Sequence, residues 1–385
     1  MDGPRDTRRR RDGPQSITLR DVASMAGTTP MTVSNVVNGR AGQVGAELRQ
    51  RVVAACETLG YRPHAGAQLL RTNRHMTIGV MIIDPSPHYL SDPFTAAVLA
   101  GLTDVLTAHG YALLLHGASP DAFMSAPLMR RIATDGICLI LSGEPEARRQ
   151  LFDRIGALGQ PIVLIQDTAP DDAHDACSVI QDDQGGAAQL ARHVLAQRCR
   201  HMVMLVPALA WAAMERRRAG ILAELALCAD PPEFHIIACA EEGFDETQSA
   251  LAAHVARHGL PDVVIGGNDR MAIAAMKWLS GQDLRIPQDV RVTGFNGFEF
   301  WRYANPELTT VQSPAFQLGE ESARAMVARL DAGAFPFRCQ VLPVTFMPHR
   351  SSVRHAAQGC VPAGTSTNQC IIETATRPET GELGT

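Results

Sequence analysis

Residues 19–38 constrain this chain more than any other segment. Leu19-Arg20-Asp21-Val22-Ala23-Ser24-Met25-Ala26 is followed by Gly27 and then by Thr28-Thr29-Pro30-Met31-Thr32-Val33-Ser34-Asn35-Val36-Val37-Asn38. Val22, Ala26, Val33, Val36 and Val37 fall on one apolar side of two short helices. Ala23 is small enough for the helices to cross closely, and Gly27 tolerates the positive φ of a sharp turn. Thr29 as N-cap and Pro30 at the first helical position are favoured start signals. The pattern predicts a helix-turn-helix, a unit that sets the start of its second helix in a DNA major groove. The other solution, a helical hairpin inside a core, would bury the polar face made by Thr29, Met31, Thr32, Ser34, Asn35 and Asn38, which suits phosphates and base edges.

The charge is unevenly spread. Residues 1–75 hold 12 Arg, no Lys and 6 Asp or Glu, a balance of +6, while the whole chain carries −5, leaving −11 for the rest. A basic head on an acidic body fits a nucleic-acid reader joined to a soluble module. The run Arg8-Arg9-Arg10-Arg11 is either a phosphate-touching arm or a solubilising tail. Nine scattered cysteines, none in a Cys-x-x-Cys pair, predict reduced thiols of a cytoplasmic protein. Neither a membrane span nor an export signal is evident.

The chain divides into a basic arm at 1–16, a helical head at 17–62, a hinge or linker at 63–75, a body at 76–353 and a polar tail at 354–385. The head's third helix, about 45–59, presents Val52, Val53, Cys56 and Leu59 and stops at Gly60. Through the body, apolar runs at 77–83, 111–116, 136–141, 161–165, 202–206, 235–239, 263–266 and 290–294 alternate with amphipathic stretches at 94–109, 185–197, 216–228, 247–258 and 270–280. Such alternation predicts parallel sheets covered by helices on both faces. The number of units favours two open α/β lobes, with a ligand cleft at their carboxyl strand ends.

Three blocks resemble the LacI-type (lactose repressor) family of transcriptional regulators. The first is Thr18-Leu19-Arg20-Asp21-Val22-Ala23 through Thr32-Val33-Ser34-Asn35-Val36-Val37-Asn38-Gly39, with Leu59-Gly60-Tyr61-Arg62-Pro63. The second is Asp182-Asp183-Gln184-Gly185-Gly186-Ala187 with Arg217-Arg218-Ala219-Gly220. The third comprises Gly267-Asn268-Asp269-Arg270-Met271-Ala272, Gly294-Phe295-Asn296 and Pro306-Glu307-Leu308-Thr309-Thr310-Val311, ending near Arg350-Ser351. The resemblance implies an all-α helix-turn-helix DNA-binding domain and a two-lobed, periplasmic-binding-protein-like α/β effector domain. It further implies a homodimer on a palindromic operator, usually as a repressor, controlled by a small-molecule effector such as a sugar or sugar derivative.

Carried over by position, Pro30, Met31 and Asn35 face base edges, and Thr18, Thr32, Ser34 and Asn38 face phosphates. Leu70 matches a minor-groove wedge in a linker helix that folds on DNA. The family usually has Arg where this chain has Asn35; Asn pairs with adenine where Arg prefers guanine, or else touches a phosphate. Gly45 and Leu48 replace hydroxyl residues of relatives, a loss that Arg49, Arg51 or the basic arm would offset. The implied effector residues are Gln166, Arg217, Phe244, Asn268, Asp269, Asn296 and Gln312. Gln166 and Asn296 stand where many relatives have Asp, which leaves two readings: an anionic effector facing Arg217, or a neutral sugar held by amides. Asp269 competes for a second role as N-cap of the following helix.

Other signals point away from chemistry. His254 and His258 have helical metal spacing but no evident third ligand, and Asp171-Asp172 and Asp182-Asp183 read as loop and crossover residues. Gly185-Gly186 lacks the residues of a phosphate loop. No cofactor, metal or catalytic set is expected. The competing functions are a transporter's solute receptor, a sugar-processing enzyme and an activator.

Overall fold

The computed structural model describes residues 17–37, 42, 44–61, 74–85, 89–125, 134–240 and 243–353. Arg8–Arg11, Asn38, residues 63–73 of the expected hinge with Leu70, and the tail 354–385 lie outside the described residues.

The head consists of α1 (Leu19–Ala26), α2 (Pro30–Val37) and α3 (Ala46–Leu59). Val22, Ala23, Ala26, Val33, Val52 and Ala55 close its core. Gly27 ends α1 with φ 63°, and the Thr28 amide donates to the Ala23 carbonyl, a left-handed cap that only a residue without Cβ adopts freely. On α3 the buried stripe runs through Val52 and Ala55. Val53 faces solvent, contrary to expectation, because it sits about 100° around the helix from Val52.

The body contains two parallel sheets. The first has strand order β11-β5-β4-β3-β1-β2, from β1 (Thr77–Ile83), β2 (Ala112–Ala118), β3 (Gly136–Leu141), β4 (Ile162–Ile165), β5 (Ala176–Gln181) and β11 (Cys339–Leu342). Period-two alternation sends Ile78, Val80 and Ile82 to one face and Met81 and Ile83 to the other. Helices α4 (Pro93–Ala108) and α11 (Ala315–Ala332) cover the former; α5 (Pro120–Ser125) and α6 (Pro145–Gly156) cover the latter. The second sheet, β7-β6-β8-β9, is built from β6 (His201–Pro207), β7 (Glu233–Cys239), β8 (Val263–Gly266) and β9 (Arg291–Thr293). It packs between α7 (Asp183–Leu195) with α8 (Ala212–Leu225), and α9 (Phe244–His258) with α10 (Asp269–Gly281). A ribbon of β10 (Thr310–Gln312) and β12 (Thr345–Met347) joins this second lobe through bridges Thr293 to Thr309 and Asn296 to Gln312. The architecture is the expected two-lobed α/β body.

The chain passes between lobes three times: from β5 into α7, from β10 into α11, and from β11 into β12. The crossings are bonded to one another. Ser313 Oγ donates to Gln181 Oε1 at 2.5 Å, and the Asp182 amide donates to the Leu342 carbonyl at 2.9 Å.

Two glycines let α4 and α11 cross at backbone contact. A Cβ on Gly101 would lie 2.0 Å from the Phe316 carbonyl oxygen, and one on Gly319 would lie 2.1 Å from that of Val98. Neither obstacle is a side chain that can swing away. Gly101→Ala is therefore expected to lower the unfolding free energy by about 1–3 kcal/mol, the usual cost of overpacking. Urea denaturation measures it, and an unchanged midpoint contradicts the crossing.

Candidate functional site

On the head, packing Val33 inward turns the start of α2 outward. Thr29, Pro30 and Met31 are exposed, Met31 by 70%, while Thr32, Ser34 and Asn35 are half-buried. The Thr32 amide donates to Thr29 Oγ1 at 3.2 Å, so Thr29 is the N-cap that the sequence indicates. Thr18 forms a capping box: its amide and hydroxyl both donate to Asp21 Oδ2, at 2.8 and 2.7 Å. These hydrogens hold the exposed Asp21 carboxyl below its ordinary range. Arg51, one of the alternatives for offsetting the hydroxyls missing at Gly45 and Leu48, donates to the Ala26 carbonyl at 2.5 Å and caps α1.

The body's candidate residues collect at carboxyl strand ends. Gln166 follows β4, Asn268 and Asp269 follow β8, Asn296 follows β9, Gln312 ends β10, and Arg217 lies in the first half of α8 beyond β6. Arg217 is 3% exposed, and its guanidinium is already engaged. It donates to Asp183 Oδ1 at 2.9 Å, the Gly267 carbonyl at 2.6 Å and Asn296 Oδ1 at 3.1 Å, and stacks 3.8 Å from the centre of the Phe295 ring. Burial pulls Arg217 below the usual guanidinium range, and the Asp183 charge opposes that.

Asp183 is the residue that sequence reasoning missed. It is fully buried at the start of α7 and receives Arg217, Arg216 (2.8 Å) and Gln181 Nε2 (2.8 Å). The available signal was an acidic residue in a helix's first turn facing an Arg-Arg pair. Its neighbour Asp182 caps α7, accepting from the Gly185 amide at 2.8 Å. Arg216 also reaches across to the Gln166 carbonyl at 3.0 Å, and Gln166 Oε1 accepts from the Gln181 amide at 3.1 Å. Gln166 and Asn296 both have positive φ, 64° and 117°.

Asn268, 4% exposed, is the N-cap of α10: its Oδ1 accepts from the Met271 amide at 2.9 Å. That frees Asp269, which accepts from the Gly297 amide at 2.7 Å and Thr310 Oγ1 at 2.5 Å. Burial raises the Asp269 carboxyl to about 6, against those hydrogen bonds. Gln312 is exposed and bridges Asn296 through the backbone. Phe244, 48% exposed, opens α9 and is the one candidate outside this bonded group.

A second set of bonds spans the lobes. Arg148 of α6 donates to Asp167 at 2.8 Å in its own lobe and to Glu215 of α8 at 3.0 and 3.1 Å in the other. The Gly143 amide donates to the Ala210 carbonyl at 2.8 Å.

The expectation that His254 and His258 have no evident third ligand is corrected. His254 is buried, and β7 brings His235 beside both.

A small helix-turn-helix head followed by a two-lobed α/β body, with polar residues gathered where the lobes meet, defines a ligand-responsive DNA-binding regulator. Residues 18–64 match the lacI family of bacterial regulatory proteins, and residues 191–352 match a periplasmic binding protein-like domain. The chain belongs to the LacI-type family of transcriptional regulators. It is 27% identical over 321 residues to the transcriptional repressor PurR of Vibrio atlanticus, covering 81% of this chain and 92% of that one. It is 26% identical over 317 residues to the ribose operon repressor of Halalkalibacterium halodurans, covering 82% and 90%. Its fold matches the Lac repressor dimer bound to operator and the anti-inducer ONPF, with a TM-score of 0.74, 23% identity and 88% and 100% coverage. It also matches a CelR–cellobiose complex, with a TM-score of 0.61, 24% identity and 87% and 99% coverage. Among the described residues, no helix is long and apolar enough to cross a membrane.

Asp183→Asn strands a buried guanidinium and is expected to cost about 3–5 kcal/mol of stability, read by urea denaturation. Asp269 gives a pH signature. Its folded pKa lies above its unfolded value, so its contribution is fully present below about 3.8 and lost as pH rises through about 6. The unfolding free energy of the native chain minus that of Asp269→Asn should fall across that window. A flat difference contradicts the buried carboxyl.

Proposed function

We propose that this chain is a sequence-specific repressor whose grip on a palindromic operator is set by a neutral sugar or sugar derivative between the lobes. The observation that carries the ligand class is the pairing of Arg217 with Asp183. An arginine whose charge is already met inside the protein offers little to an anionic effector, and leaving Asp183 to bind one would break a buried ion pair. Besides Arg217 the candidate residues are amides and a ring, Gln166, Asn296, Gln312 and Phe244, while Asn268 and the carboxyl of Asp269 are bonded within the protein, as the N-cap of α10 and to Gly297 and Thr310. That set suits hydroxyls and a flat sugar face. Arg217 orients Asn296 and the Gly267 carbonyl. Sugars bound to relatives agree in kind, cellobiose in the CelR complex and ribose in another family member.

On the DNA side, Pro30, Met31 and Asn35 read base edges; Thr29, Thr32, Ser34, Thr18 and Asn38 hold phosphates; and Leu70 wedges the minor groove. Thr18 exchanges its Asp21 bond for a phosphate to do so. The arm 1–16, head 17–62, hinge 63–75, body 76–353 and tail 354–385 form the working units. The protein acts in the cytoplasm without catalysis. Two copies pair through the exposed side of α4, where Leu99, Ala100, Thr103 and Thr107 lie beside Phe316.

Selection of binding sites from random duplexes, repeated with neutral sugars and with sugar phosphates, tests this. A palindromic site is expected, with affinity that falls steeply with salt. A neutral sugar should change that affinity, and Asn35→Arg should shift one step of each half-site from adenine to guanine. No selective retention overturns the regulator; a response confined to sugar phosphates overturns the neutral ligand.

A further inference from the structure

Four histidines and a glutamate meet on the outer edge of the second lobe, away from the cleft. His201 begins β6 and is the register partner of Glu233 on β7. His235 lies two residues beyond Glu233, so all three side chains leave the same face of the sheet. Helix α9 lies against that sheet and supplies His254 and His258, one turn apart on one side. The rings form a continuous cluster: centroids are 4.7 Å apart for His235–His258 and His254–His258, 5.0 Å for His235–His254 and 5.2 Å for His201–His254. This is the amino end of strands whose carboxyl ends carry the candidate effector residues. β6 has 7 residues, so roughly 20 Å of strand at about 3.3 Å per residue separates the two places.

We propose that His235, His254 and His258 bind one divalent transition-metal ion of the zinc type. One ring nitrogen from each of the three lies within 4.8 Å of the others. A tetrahedral ion with Zn–N bonds of about 2.0–2.1 Å needs its ligands about 3.4 Å apart, a distance that side-chain rotation reaches. Imidazole is a favoured ligand for zinc, nickel and copper, and three imidazoles leave a fourth position for water. The surroundings prepare the rings. Glu233 Oε1 accepts from His235 Nε2 at 2.5 Å, which sets the proton on that nitrogen and leaves the Nδ1 lone pair for an ion. A carboxylate holding the far nitrogen of a ligating histidine is a recurrent arrangement in metal sites. His201 Nε2 lies 3.1 Å from His254 Nε2 and orients that ring from the other side. A bound ion would tie the edge strand β7 to α9, the helix that opens with Phe244.

The test uses the full chain without a polyhistidine tag, stripped by chelator and dialysed against Zn²⁺, with metal content measured per chain. Co²⁺ is added separately to read the d–d absorption of a tetrahedral site. The native chain and a His174→Gln control are expected to hold one equivalent, and bound Co²⁺ should absorb intensely. His235→Gln with His258→Gln should weaken binding by about tenfold or more and abolish that absorption. Both altered residues are at least partly exposed, and an unchanged thermal transition of the metal-free variant verifies its fold. Binding well below one equivalent, or binding that survives the double substitution, overturns the site.

Discussion

The buried pairing of Asp183 with Arg216 and Arg217 organises the body. Asp183 sits where the chain first passes from one lobe to the other, and its partners open the next helix of the second lobe. From Arg217, hydrogen bonds run to Gly267 and Asn296; from Arg216, one runs to Gln166 in the first lobe. One carboxylate thus fixes two loops of the second lobe and one of the first. A buried ion pair need add little stability over apolar residues of the same size. What it specifies is geometry: Asp183 and Arg217 are out of water, so only an arrangement that keeps them together is tolerated.

The head was legible because its structure is local. Caps at Thr18 and Thr29, the turn at Gly27 and the apolar spacing of Val22, Ala26 and Val33 are all read within a few residues. Strands β1, β3 and β8 were equally plain as apolar runs. Helix α11 was not, because its buried face includes Ala315, Gly319, Ser322, Ala323 and Ala325, small residues that dilute an amphipathic signal. Those same residues allow its close crossing with α4. Strands β10 and β12, three residues each, are too short to show a period.

At the site, positions were legible through family resemblance, whereas bonds were not. Arg217 looked like a free ligand clamp because its partner lies 34 residues away, on another element. The histidines of β6 and β7 joined those of α9 only through sheet register and helix packing, which spacing along the chain does not encode.

The three crossings lie side by side and are hydrogen-bonded to each other. Parallel tethers so placed resist sliding and twisting of one lobe on the other and leave swinging about a common axis as the easy motion. A molecule lodged opposite that axis acts as a spacer on a lever: its thickness becomes an angle, and the angle becomes a displacement at the end of the first lobe where the chain enters. Discrimination among ligands of similar polarity then follows from their bulk as much as from their hydrogen bonds.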